Sequence, residues 1–164
     1  MTSTTDRVTA QGKESGVGGR GRPDWDTYFL GVAHAVSTRA DCRRRTVGAV
    51  IASRDHRVLS TGYNGAPPGR PGCLAGACPR GLLSYEDIKE FTDYDSGPGR
   101  CISIHAEVNA VLFSKGDVAG ATVYITDPPC PTCRKVLMGA GLERAVWPEG
   151  SLDLTESVVE VLDG

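Results

Sequence analysis

The stretch "ATVYITDPPCPTCRKVLMGAGLERAVWP", residues 121–148, decides the fold. Residues 121–126 are mostly β-branched or apolar and read as a strand. Asp-Pro-Pro at 127–129 breaks it, because proline cannot donate to a ladder. From Cys130 to Gly139 or Gly141 the pattern is that of a short helix closed by glycine. Residues 142–148 read as a second strand. A strand, a helix and a strand in close succession form a crossover, and crossovers pair strands in parallel. The expected class is therefore α/β, a three-layer α/β/α sandwich with a mixed central sheet.

Working outward, the other elements fit that class. Trp25, Tyr28, Phe29, Val32, Ala33 and Val36 recur at helical spacing, with Asp24 placed as an N-cap. Residues 46–53 read as a buried strand and 57–63 as its antiparallel partner. Residues 105–115 read as a helix with Val108, Val111 and Leu112 on one face, and residues 151–164 as a final helix. Between them, 64–104 is a long excursion. Its Gly and Pro density at 64–81 excludes regular elements, and one short helical turn is expected near 83–91. Residues 1–22 are rich in Gly, Ser, Thr and charge and read as a disordered tail. That leaves one catalytic-size domain over 23–164.

Length and composition narrow the function classes. A chain of 164 residues with 40% hydrophobic content can bury one real core. The net charge of −2 and pI near 5.9 argue against nucleic-acid binding through a broad basic field. No apolar run approaches the ~18 residues a membrane span needs, and the first residues lack the apolar core of a secretory signal. A cytoplasmic location is the expectation. In a reducing compartment disulfides are rare, so six cysteines point to metal ligands or packing.

The chemistry gathers at two helix starts. Cys130 and Cys133 are one turn apart on one helix face, and a helix N-terminus favours thiolates. The stretch "SIHAEVNA", 103–110, puts His105 at the start of another helix and Glu107 two residues on. Singly, each has an ordinary reading: a cap, an ambiguous Cys-x-x-Cys, an acid at a helix dipole. Together they are more specific. One crossover brings both helix starts to the carboxyl ends of neighbouring strands, where open α/β sheets bind ligands. One His and two Cys leave a tetrahedral zinc an open position for water. Glu107 is then close to the metal and free to move protons. A thioredoxin-like redox pair would leave His105 and Glu107 unexplained.

His105-Ala106-Glu107 followed by Pro129-Cys130-Pro131-Thr132-Cys133 resembles the H-x-E and P-C-x-x-C signature of the zinc-dependent cytidine and deoxycytidylate deaminase superfamily. Residues 60–67, "STGYNGAP", the extended "HAEVNA" and "CRRRTVGAV" at 42–50 look like its deoxycytidylate (dCMP) branch. The resemblance spans roughly 23–148 and is weakest over 79–100. It implies a cytidine deaminase-like fold, one catalytic Zn2+ on His105, Cys130 and Cys133, and Glu107 as proton carrier. It implies hydrolysis of a cytosine nucleotide, dCMP to dUMP with release of ammonia. It also implies substrate contacts from Asn64 and Ala106, with Tyr63 and Gly65 in the region that senses deoxycytidine triphosphate (dCTP) in regulated members. A homo-oligomer, hexamer or dimer, and control by dCTP and dTTP belong to the same expectation.

Two matters stay open on the sequence. Cys42, Cys73, Cys78 and Cys101 are either a second, structural zinc site or buried free thiols. Arg43, Arg44, Arg45, Arg100 and Arg134 are unranked candidates for a substrate phosphate. Because 79–100 departs from the family, other small amines remain alternatives: free cytidine or deoxycytidine, another nucleobase, a cytosine-containing natural product. Editing of tRNA or single-stranded DNA fits the acidic pI poorly, and a non-catalytic zinc protein would not need Glu107.

Overall fold

The computed structural model describes residues 21–90 and 93–163. The tail expected over 1–22 falls, except for its last two residues, outside them. Helix α1 (Trp25–Ser37) starts where Asp24 accepts a hydrogen bond from the Thr27 backbone N–H, at 2.7 Å. Strand β1 (Gly48–Ala52) is buried at every position, and β2 (Val58–Tyr63) lies antiparallel beside it. Two short turns, α2 (Pro79–Leu82) and α3 (Tyr85–Ile88), interrupt the long excursion. Then follow α4 (Ala106–Leu112), β3 (Thr122–Ile125), α5 (Pro131–Gly139) and β4 (Arg144–Trp147). Strand β5 (Gly150–Asp153) and helix α6 (Val158–Asp163) complete the order.

The five strands are ordered β2-β1-β3-β4-β5. Only β3 and β4 pair in parallel, across the α5 crossover; the other neighbours are antiparallel. The sheet is therefore mixed, as expected. On one face Phe29 and Ala33 of α1 pack on Val50, Ala52, Tyr124 and Val146. On the other, Ala106 and Ala110 of α4, Leu137 of α5 and Val161 of α6 cover Ala49, Ile51, Val123 and Ile125. Each fully buried Val, Leu, Ile or Phe side chain contributes roughly 1.5–3 kcal/mol.

Two expectations are corrected. Residues 150–153 form a strand on β4 rather than the first turns of a helix, which begins only at Val158. Alternation over four half-exposed residues at a sheet edge is too short a signal to separate from a helix. The Gly- and Pro-rich stretch is not wholly irregular either. Proline at the first position of α2 supplies a preset φ for a helical turn from Pro79.

The topology explains where the site lies. Strands β2 and β3 both run antiparallel to β1, so their carboxyl ends and the start of β1 share one edge of the sheet. Three connections therefore meet there: the approach to β1, the exit from β2 and the link from β3 to α5. Two glycines allow the helices to sit close. A Cβ on Gly62 would lie 2.2 Å from the Ala106 carbonyl oxygen of α4. One on Gly48 would lie 2.1 Å from that of Ala33 in α1.

Candidate active site

His105 is the N-cap of α4 but its side chain caps nothing, which leaves the ring free to turn toward α5. Cys130 is the N-cap of α5, and its sulfur accepts the Cys133 backbone N–H at 3.5 Å. His105 Nδ1 lies 3.6 Å from the Cys130 sulfur and 3.3 Å from that of Cys133. A tetrahedral zinc with bonds of ~2.3 Å to sulfur and ~2.0 Å to nitrogen sets N···S edges of about 3.5 Å. The three side chains thus fit the ion, and their imidazole and thiolate donors are those zinc prefers. Among the described residues this is the set whose ligand atoms all lie within 4.8 Å of one another.

The electrostatics agree with that fit. Hydrogen bonding from Cys133 and from the His105 ring holds the Cys130 thiol down to about 3. Cys133 is pushed up by sharing its proton with Cys130 and by burial. His105 is raised by its hydrogen bond to Cys130, against the opposing effect of burial. A divalent cation between the sulfurs would favour both thiolates and displace that proton. Glu107 is buried, and burial raises its carboxyl above the ordinary range. A carboxyl so placed, beside the metal corner and shielded from water, can act as a proton carrier there.

These four residues line a cavity of about 500 Å3. Ala106 and Asn64 line it as well. Asn64 is buried, and its amide is engaged with the backbone before β1: Val47 N–H donates to its Oδ1 at 2.8 Å, and its Nδ2 donates to the Arg45 carbonyl at 2.9 Å. Tyr63 and Gly65 lie outside the cavity lining. The Tyr63 carbonyl accepts from Asn109 Nδ2 at 2.8 Å, tying α4 to the end of β2. Gly65 pairs with Ile104, at 3.1 and 2.8 Å, so the two ends of the long excursion meet beside His105.

The other four cysteines also line the cavity. The sulfurs of Cys78 and Cys101 are 4.0 Å apart. Backbone N–H groups of Arg43 and Arg44 donate to Cys73 and Cys42, each at 3.4 Å. Burial raises Cys101 to about 11. This group is looser than the His105 set.

Three residues that sequence reasoning passed over matter here. Arg80 is buried, donates to the carbonyls of Asp93 (3.3 Å) and Gly99 (3.0 Å), and lies 4.1 Å from the centre of the Tyr94 ring. The Tyr94 ring meets the His105 ring edge-on, with centroids 6.4 Å apart. Asp127, just beyond β3, forms an ion pair with Arg45 at 3.0 Å. No periodicity marks any of the three; an arginine within a Gly-rich loop reads as solvated until the loop is folded.

A mixed α/β sheet with a His-Cys-Cys corner and a buried carboxyl defines a zinc-site hydrolase class. Residues 23–149 match the family described as the cytidine and deoxycytidylate deaminase zinc-binding region, and the chain belongs to that family. It is 48% identical over 131 residues to the deoxycytidylate deaminase of Mycobacterium phage D29, covering 79% of this chain and 98% of the phage protein. It is 37% identical over 144 residues to the Saccharomyces cerevisiae deoxycytidylate deaminase, covering 86% of this chain but 42% of the yeast protein. The fold is similar to that of the cyanophage S-TIM5 dCMP deaminase, solved with dCMP and dUMP. There the TM-score is 0.56 at 22% identity, over 87% of this chain and 92% of that one.

Proposed function

We propose that this chain hydrolyses dCMP to dUMP and ammonia, with His105, Cys130 and Cys133 as zinc ligands and Glu107 as the catalytic proton carrier. The observation that carries the reading is the buried Glu107 beside a His-Cys-Cys corner in one cavity. Two features of the comparisons support the substrate: the phage D29 relative is matched over nearly its whole length, and it is a deoxycytidylate deaminase. A zinc ion in this corner supplies the Lewis acidity that makes water a nucleophile near neutral pH.

The chain's own residues do the rest. Water adds to the amino-bearing ring carbon, the C–N bond breaks and ammonia leaves. Glu107 carries one proton from the water to ring N3 as the C–O bond forms, then carries the added hydroxyl's proton to the amino group, which departs as ammonia and leaves the carbonyl of dUMP. Ala106 and Asn64 shape the wall on which the base lies, Asn64 by holding the segment before β1 in place. The test is ultraviolet loss of dCMP by zinc-loaded protein; absence of turnover on every cytosine nucleotide would overturn the reading.

Four further assignments belong to the same proposal. Cys42, Cys73, Cys78 and Cys101 hold a second, structural zinc, supported by the N–H donors that sulfur receives and by the Cys78–Cys101 approach. Cytoplasmic operation fits six free cysteines. No helix among the described residues is long and apolar enough to cross a membrane. Homo-oligomerisation, as a hexamer or dimer, is supported by exposed Val58, Leu59, Tyr63, Leu112 and Phe113 on the edge strand β2 and the end of α4. Control by dCTP and dTTP is checked by adding each to the same assay.

A further inference from the structure

A nucleotide phosphate must be met by cations or backbone amides. Three arginines line the cavity: Arg44, Arg45 and Arg80. Two of them are occupied in holding the loop. Arg44 donates through Nε and one terminal nitrogen to the Arg80 carbonyl, at 3.2 and 3.0 Å, also reaches the Leu83 carbonyl, and lies 4.8 Å from the Tyr85 ring centre. Arg80 is buried against the Asp93 and Gly99 carbonyls and the Tyr94 ring. Among the remaining arginines considered from sequence, Arg43 reaches toward the Leu74 carbonyl, Arg100 toward Gly97, and Arg134 toward Pro129 and Val161. None of these three lines the cavity.

Arg45 differs from all of them. Its side chain is 63% exposed, and its ion-pair partner is the Asp127 carboxylate, 35% exposed, at 3.0 Å. Both residues line the cavity that contains Glu107 and the three metal-site side chains. The backbone beneath Arg45 is held: Asn64, itself buried, accepts from Val47 and donates to the Arg45 carbonyl. Asp127 is carried on the β3–α5 link that leads to Cys130. The ion pair therefore joins the approach to β1 with the segment that carries the metal ligands. An exposed pair of this kind is worth little, so opening it costs little. A guanidinium matches the paired oxygens of a phosphate in a two-pronged fashion that exceeds a single exposed carboxylate contact.

We propose that Arg45 reads the 5′-phosphate of the substrate, exchanging Asp127 for the phosphate when the nucleotide binds, with Asn64 as the residue that positions it. This rests on the nucleotide-deaminase reading above. Arg45 is then the residue that separates a nucleoside monophosphate from the free nucleoside, while Glu107 and the metal corner act on either base.

The experiment measures binding of dUMP and of deoxyuridine to zinc-loaded protein by calorimetry, and deamination of dCMP and of deoxycytidine, in wild type and in Arg45→Ala, Arg45→Lys and Asp127→Asn. In Arg45→Ala the dissociation constant for dUMP rises about 10- to 100-fold while that for deoxyuridine stays unchanged. The loss for dCMP falls on KM rather than kcat. Arg45→Lys recovers part of the dUMP affinity, because a point charge remains without the fork. Asp127→Asn, which removes the competing anion, tightens dUMP about 2- to 5-fold. A dUMP affinity indifferent to Arg45→Ala, or an equal loss for dUMP and deoxyuridine, overturns the proposal. So does weaker dUMP binding in Asp127→Asn. If wild type deaminates neither substrate, the functional reading fails, and the dUMP binding arms still decide the role of Arg45.

Discussion

Two sets of cysteines face one cavity, and they are held there by different means. Cys130 and Cys133 ride on α5, which starts at Pro131 directly after β3, a central strand hydrogen-bonded on both sides. Their positions follow chiefly from the backbone hydrogen bonds of the sheet and the helix, with the Cys130 sulfur adding the cap of α5. Cys42, Cys73, Cys78 and Cys101 lie outside the sheet, apart from one isolated bridge between Gly65 and Ile104. Their segments are ordered by scattered backbone hydrogen bonds, such as Cys101 N–H to the Tyr94 carbonyl and Arg80 N–H to that of Arg100, together with side-chain chemistry: Arg44 and Arg80 donating to carbonyls, rings of Tyr85 and Tyr94 under those cations, and sulfurs accepting N–H groups. The first set is placed by the scaffold. The second is part of what gives its own loop a shape.

The largest effect expected from this contrast is on catalysis. Glu107→Gln should lower dCMP turnover about 10²- to 10⁴-fold with zinc content unchanged, read by rate assay and metal analysis. Cys133→Ser should remove the zinc of the His105 corner and all activity, yet leave the sheet folded by circular dichroism. Loss of the whole fold in that variant would break the claim that the scaffold exists without its thiols.

Next is the close approach of α4 to β2. Gly62→Ala should destabilise the protein by about 1–3 kcal/mol, because the new methyl group would meet the Ala106 carbonyl. Gly116→Ala, with nothing within 4 Å of the added atom, should change stability by less than about 0.5 kcal/mol. Thermal unfolding of the two variants side by side gives the comparison.

The loop set should respond differently. Cys78→Ser should speed amide hydrogen exchange across 65–104 while zinc remains at His105, Cys130 and Cys133. On the proposed second zinc site, metal analysis should fall from two zinc per chain toward one. Unchanged exchange would show that the arginines order the loop without the sulfurs.

The smallest effect lies on the opposite face of the sheet, away from both sets. Burial, with the Asp26 carboxylate beside it, pushes the Tyr124 hydroxyl up from 10.0 to about 12. Below pH 10 both folded and unfolded chains keep that proton, and the contribution is fully present. Between pH 10 and 12 the unfolded chain releases it first, so stability falls as pH rises. Denaturant midpoints across that range should show a shallower fall in Tyr124→Phe than in wild type.

Much of the scaffold and the metal corner could be read directly from the chain. The 121–148 crossover, the N-cap at Asp24 and the helical stripe of α1 depend on neighbours a few residues away, so local pattern carries them. His105, Glu107, Cys130 and Cys133 were recoverable because each stands at a helix start, where spacing and residue type speak together. Strand β5 was not legible, since four residues at a sheet edge carry no decisive period.

The long excursion behaves otherwise, and there folding settles the roles. Asn64 is a backbone clamp for Arg45, Asn109 a tie between α4 and β2, and Arg80 a buried anchor over the Tyr94 ring. Those partners are far apart in the chain, and polar side chains in a Gly-rich segment have no periodicity to report which carbonyl they will reach. Local chemistry therefore wrote the reaction into the sequence. Which arginine is left facing the cavity emerges only when long-range hydrogen bonds have occupied the others.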